Sequence, residues 1–358
     1  MPYPFPRDAL PTPALVIDLA ALERNIAAMA AFAAARGIKL RPHAKTHKSA
    51  EIALRQIAGG AVGICCAKLG EAEALVDAGA ADIHLTSPVV RPDAIARLAA
   101  LNRRIALSVV VDHPDTVVAL DAGVDAPLTV LIDVDPGMLR TGVASAEAAV
   151  ALARAITASA RLKLGGVQFY CGSLQHVPAL AERRAALAER AEYLRSVLAA
   201  LAEAGFAVSH VTGGGTGSFA IDAELGVLTE LQVGSYVFMD REYRDCEAAG
   251  PGFETALFVD ATVVSVNAPG RVTIDAGLKA FAADAGVPVV LAGAEGRYVF
   301  TGDEHGAVIG AVPPGLGARV VLMPPHCDPT VNLYDRYHLV AGDEVIGAWP
   351  VTARGCST

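Results

Sequence analysis

Aromatic residues are scarce in this 358-residue chain, at 5%. Its apolar stretches are short and broken by charge or glycine. The second absence excludes a transmembrane helix, which needs about 20 consecutive apolar residues. The proline-rich residues 1–13 contain no apolar h-region, so no secretory signal is expected. Six cysteines in a chain of this size, none in a CxxC pair, exclude both a disulfide scaffold and a structural zinc site. A net basic surface is lacking too. With 29 basic against 38 acidic side chains the formal charge is −9, which argues against nucleic-acid binding. These absences leave a soluble, reducing, cytoplasmic setting as the expectation. What is abundant is apolar content, 53%, much of it alanine in helical stretches and ample for a large domain plus a smaller one.

Short β-branched runs alternate with helical patterns from about residue 37 to 235. Strands are predicted at 38–41, 62–66, 83–86, 105–111, 128–134, 162–168, 208–212 and 231–234. Alternating βα units imply a parallel sheet, and eight in series point to a closed (β/α)8 TIM barrel, with an open doubly wound sheet as the alternative. Lys45, Lys68, Ser87, Asp112, Arg140, Tyr170, Gly213–Thr216 and Tyr236 each follow the C-terminal end of a predicted strand, where barrels build their active sites. After about residue 255 the helical signal stops. Strands at 256–266, 272–275, 298–301, 318–323 and 344–349 alternate with turn residues. The chain is thus divided into a barrel over 15–250 and a β-domain over 251–358, with residues 1–14 packing on the latter. Residues 14–18 form a strand outside the eight.

The segment Arg41-Pro42-His43-Ala44-Lys45-Thr46-His47-Lys48 crowds cations and imidazoles between a strand and a helix. Neighbouring positive charge destabilises an ammonium and makes a lysine nucleophilic. By itself the segment reads equally as a reactive Lys45 or as a solvated basic turn at a helix start. Thr212-Gly213-Gly214-Gly215-Thr216 follows the seventh strand, where glycines let backbone N–H groups approach a phosphate. It lacks the lysine of a nucleotide P-loop. In His326-Cys327-Asp328, residues i and i+2 of an extended segment point to one side. His326 and Asp328 could then share a divalent ion such as Mn²⁺, Mg²⁺ or Co²⁺, completed by water or substrate. His43, His47, His84 and His176 are further proton-transfer candidates.

The lysine segment resembles the pyridoxal-phosphate lysine segment of the D-threonine aldolases, D-3-hydroxyaspartate aldolases and eukaryotic-type D-serine dehydratases, which share an alanine-racemase-like fold. Further similar segments follow in the family's order: Thr212–Thr216, residues 232–240, Asp275-Ala276-Gly277-Leu278-Lys279 and residues 325–332. The resemblance implies that Lys45 carries pyridoxal 5′-phosphate. His43, Arg140 and Tyr170 would lie around its ring, and Thr212, Gly213, Gly214, Gly215, Thr216, Gly234, Ser235 and Tyr236, through its hydroxyl, around its phosphate. Asp at 328 is similar to the aldolases, whereas the dehydratases carry His-x-Cys, a softer pair suited to zinc.

The expected reaction is a retro-aldol cleavage of a β-hydroxy-D-amino acid to glycine and an aldehyde, with D-threonine as type substrate and Mn²⁺ as the first choice of metal. A D-3-hydroxyaspartate aldolase, a D-serine or 3-hydroxyaspartate dehydratase, and an amino-acid racemase are the alternatives. In this fold the β-domain commonly reaches a partner's barrel mouth. The resemblance therefore implies a homodimer, with the metal pair contributed in trans.

Overall fold

A computed structural model describes residues 2–310 and 314–358. Eight parallel strands form one sheet: Lys39–Leu40, Ile64–Cys66, Asp82–Leu85, Ala106–Val111, Leu128–Asp133, Leu162–Phe169, Val211–Gly213 and Glu230–Leu231. Lys39–Leu40 pairs with Glu230–Leu231. The ring closes on the other side of that strand through a bridge between His43 and Cys65 and through the N–H groups of Val62 and Cys65, which donate to Leu40 and Pro42 carbonyls at 2.8 Å. The predicted strands all occur, in order, with ends displaced by at most three residues. The open-sheet alternative is excluded by that closure.

Local signals start the helices between them. The Asp18 side chain accepts the Ala21 N–H ahead of Leu19–Ala35, and Ser145 accepts that of Ala148 ahead of Ala146–Ala158. Proline opens Pro92–Asn102 and Pro114–Gly123, where its missing N–H would have no intrahelical partner. Leu180–Glu203 buries Leu187, Ala191, Leu194, Val197 and Leu201, spaced three or four apart on one face. Truncating one of those leucines to alanine would cost about 2–5 kcal/mol.

The second sheet is centred on the long strand Leu257–Ala268, which pairs antiparallel with Ala14–Asp18, Arg319–Met323 and Arg271–Ile274. Ala14–Asp18 also runs parallel to Arg336–Ala341, with Leu339 opposite Ile17. The strand just before the first barrel helix therefore belongs to the antiparallel sheet. Four strands escape the sequence pattern: Phe5–Pro6, Val289–Ala292, Gly306–Ile309 and Arg336–Ala341. A short helix, Cys327–Val331, interrupts a region read as wholly extended. No helix among the described residues is long and apolar enough to cross a membrane, and all six cysteines are free.

Candidate active site

The C-terminal ends of the barrel strands and the segment after Arg319–Met323 meet at one cleft. There Lys45 Nζ lies 3.5 Å from Asp328 Oδ2 within a single chain. The two groups come from different sheets, so the barrel and the antiparallel sheet complete one site in cis. The expected contribution in trans is overturned.

The electrostatic reason for a reactive Lys45 is also overturned. Arg41 turns down the barrel and pairs with Asp82 at 2.6 Å and Glu230 at 3.1 Å. Lys48 pairs with Glu71 at 2.6 Å. His43 and His47 are buried, and burial lowers both, His47 to about 4. Lys45 faces an anion instead of a cluster of cations. Asp328 raises its pKa, outweighing burial, and Tyr170 adds to the rise. Asp328 is held below the ordinary carboxylate range: burial pushes it up, but Lys45 and His326 prevail.

Around Lys45 stand the expected ring residues. His43 accepts the Lys45 N–H through Nδ1 at 3.3 Å, and its Nε2 meets Thr86 Oγ1 at 3.1 Å. Lys45 Nζ lies 6.0 Å from the Tyr170 ring centroid, and the Arg140 guanidinium 5.7 Å from it. Asp135 shapes the Arg140 loop by accepting the N–H groups of Gly137, Met138 and Leu139. Asp112, at the next strand end, accepts the Gly142 N–H at 3.0 Å. Lys68 and Ser87 line a different cavity of about 490 Å³, with Arg91 and Arg97.

The two glycine loops lie side by side, since the Tyr236 N–H donates to Thr216 Oγ1 at 2.9 Å. Gly214 has φ of +71°, a region where a side chain is strained. A Cβ on Gly215 would lie 2.4 Å from Gln175 Oε1, and one on Gly234 2.6 Å from Thr46 Oγ1. Thr46 Oγ1 is itself buried without a hydrogen-bond partner. Side-chain-free backbone, a buried unpaired hydroxyl and Ser235, whose hydroxyl lies 3.5 Å from the Asp328 carboxylate that faces Lys45, fit a phosphate-bearing aldehyde cofactor.

Two expected phosphate contacts fail. The Thr212 hydroxyl points down the barrel axis to Glu230, at 2.9 Å. Tyr236 is fully enclosed, and its hydroxyl accepts from Gln56 Nε2 at 3.0 Å. Gly213 is glycine for a packing reason, because a Cβ there would fall 1.9 Å from the Phe169 carbonyl oxygen.

The His326–Asp328 pair keeps its place but not its expected geometry. His326 is extended and caps the helix Cys327–Val331, so Asp328 sits in the first turn of that helix. Cys327 is buried, and its N–H donates to Asp240 at 2.8 Å. Burial lifts Asp240 to about 6. His326 Nδ1 lies 2.7 Å from Asp284 and 3.7 Å from Glu242, which leaves Nε2 for a ligand. Burial opposes protonation of His326, yet Asp328 and Asp284 raise it. Among the described residues no three His, Cys, Asp or Glu side chains are disposed to hold an ion. An imidazole and a carboxylate fit a divalent ion completed by water or substrate. Asp240, Glu242 and Asp284 have no site role in the sequence reading, and an isolated acidic residue in an Ala- or Arg-rich stretch carries no signal of one.

His176 lies beside this pair, with its ring 4.4 Å from that of Tyr243. Burial lowers its pKa, against the raising effect of Glu242, and its Nε2 is buried without a hydrogen bond. His84, by contrast, is committed to Ser108 and Gln168.

Residues 17–242 match the family model described as alanine racemase, N-terminal domain, and 256–340 that of a putative serine dehydratase domain. The chain is 44% identical to a D-threonine aldolase of an Arthrobacter species over 97% of this chain and 93% of the relative. It is 38% identical to a 3-hydroxy-D-aspartate aldolase of Paracoccus denitrificans over 96% and 92%. The solved D-threonine aldolase from Filomicrobium marinum superposes with a TM-score of 0.96 at 40% identity, covering 99% of this chain and 98% of the other.

Proposed function

The chain belongs to the alanine racemase N-terminal domain family, and from that premise we propose that its cleft cleaves β-hydroxy-D-amino acids to glycine and an aldehyde. It is a carbon–carbon lyase of the D-threonine aldolase type. The observation that carries this reading is the 3.5 Å approach of Asp328 to Lys45, because it puts a metal-ligand pair beside a cofactor lysine. The dehydratase alternative would call for cysteine at 328.

Bound pyridoxal phosphate would supply an electron sink for charge developing at Cα, and a divalent ion would supply Lewis-acid polarisation of the β-hydroxyl. The residues do the rest. Lys45 holds the cofactor aldehyde, with Tyr170 and His43 beside it. The backbone of Gly214, Gly215 and Thr216, with Gly234 and Ser235, cradles the phosphate. His326 Nε2 and Asp328 would hold the ion, with Mn²⁺ the first choice. His176 is neutral, carries an unpaired Nε2 and adjoins His326 and Glu242, so it takes the hydroxyl proton. Lys45 and His176 come from different strand-end loops, and each is a separate candidate for proton transfer.

Assays with D-threonine, D-3-hydroxyaspartate and D-serine, with and without Mn²⁺, test the reading. Aldehyde from D-threonine only when metal is present is the expected result. A keto acid from D-serine, or full activity after chelation, would overturn it.

A homodimer in a reducing cytoplasm is the assembly and setting this reading carries. Free cysteines and Leu139, 91% exposed beside Arg140, support it. Sedimentation velocity checks the assembly. Mixing Lys45→Ala with Asp328→Ala subunits should restore no activity, since both groups act within one chain.

A further inference from the structure

The flank of the metal-ligand pair carries an excess of negative charge that the reaction does not require. Asp284 Oδ2 and Glu242 Oε2 both face His326 Nδ1, at 2.7 and 3.7 Å, and Glu242 also lies 4.0 Å from His176 Nε2. Among the described residues neither carboxylate pairs with a lysine or an arginine. The arginine nearest in sequence, Arg241, is committed to Asp245 at 3.2 Å and to the Val287 carbonyl at 3.0 Å. Arg140 stands by Tyr170, on the cofactor-ring side. Several carboxylates elsewhere on the surface are matched by arginine, as in Glu254 with Arg24 and Glu73 with Arg97.

In a β-hydroxy-D-amino acid the hydroxyl and the β-substituent share one carbon. A hydroxyl directed at an ion on His326 Nε2 and Asp328 would leave the substituent roughly 5–10 Å from Glu242 and Asp284, which face the Nδ1 side of that ring, within about a Debye length. A methyl or phenyl group there meets no opposing charge. A carboxylate there meets like charges, foremost that of Glu242, whose side chain is 26% exposed against 56% for Asp284, and salt screens part of the repulsion.

Resting on the aldolase reading, we propose that Glu242 and Asp284 set the substrate class: they admit an uncharged β-substituent and reject an anionic one. The two carboxylates are specificity-determining residues, and Asp284 in addition orients the His326 ring through Nδ1.

The test uses the Mn²⁺- and cofactor-loaded enzyme and compares kcat/KM for D-threonine and D-3-hydroxyaspartate in the wild type, Glu242→Gln, Asp284→Asn and the double variant. The wild type should favour D-threonine. Each single variant should shift the ratio toward D-3-hydroxyaspartate by about tenfold, the double variant further, and all shifts should shrink at high salt. Loss of His326 orientation lowers both substrates together and leaves the ratio unchanged, so the ratio isolates the charge effect. Calorimetric binding of D-aspartate and D-2-aminobutyrate, which have no β-hydroxyl to cleave, gives a second readout and should move the same way. Equal use of both substrates by the wild type, or ratios that stay fixed in the variants, would overturn the proposal. Cleavage of neither substrate would refute the aldolase reading, while the binding comparison still decides the charge preference.

Discussion

The two ends of the barrel interior both carry buried charge, and both draw on the same octapeptide, yet they differ in how that charge is satisfied. At the N-terminal end Arg41 has two carboxylates, and Glu230 in turn meets Thr212 at 2.9 Å and His210 at 3.2 Å. Every partner there is a fixed neighbour at hydrogen-bond distance. At the C-terminal end Lys45 has one partner at 3.5 Å, and His326 is shared among Asp284, Glu242 and Asp328. Groups with longer and competing partners can exchange them for a ligand, whereas saturated groups only hold the structure. The contrast separates architecture from chemistry within eight residues of sequence.

Lys45→Ala should break the reactive end most severely. Turnover is expected to fall on the order of 10⁴-fold or more, with loss of the visible absorption of bound cofactor. Borohydride reduction of the wild type, followed by peptide mapping, should label Lys45 and neither Lys48 nor Lys68. His326→Ala or Asp328→Ala should keep that absorption while metal-dependent turnover drops on the order of 10³-fold, as absorbance spectra and chelator titrations would reveal.

Glu230→Ala attacks the opposite end. It strands Arg41 in the barrel and should cost about 3–5 kcal/mol in denaturant unfolding, with kcat changed far less than stability. The smallest effect is on pH dependence. Burial pushes Glu230 up, but His210 beside it, the charge of Arg41 and the Thr212 hydroxyl bring it from 4.5 to about 2. A carboxyl group depressed by folding contributes stability above its unfolded pKa and loses it as pH falls. The wild type should therefore lose this contribution between about pH 4.5 and 2, and Glu230→Gln should flatten that part of the curve.

The barrel was legible because β-branched runs and the polar residues at their ends recur in phase with the βα repeat. The glycine loops were legible because backbone that must approach a phosphate or another chain excludes side chains. Strand Phe5–Pro6 was hidden by proline, and Gly306–Ile309 is too short to establish an alternation. Around Lys45, sequence adjacency is a poor proxy for spatial adjacency. Its true counter-charge comes from residue 328, and the nearby cations point elsewhere. Thr212 and Tyr236 illustrate the same limit at smaller scale, since a motif specifies backbone position but not the direction of each hydroxyl.

Strand Ala14–Asp18 lies between Leu257–Ala268 and Arg336–Ala341, so it is synthesised well before either of its neighbours. The barrel can assemble as translation proceeds, while this apolar strand waits with both edges unpaired. A nascent chain halted near residue 250 would thus hold a closed barrel and an exposed, aggregation-prone β-edge, a natural point for a chaperone to engage.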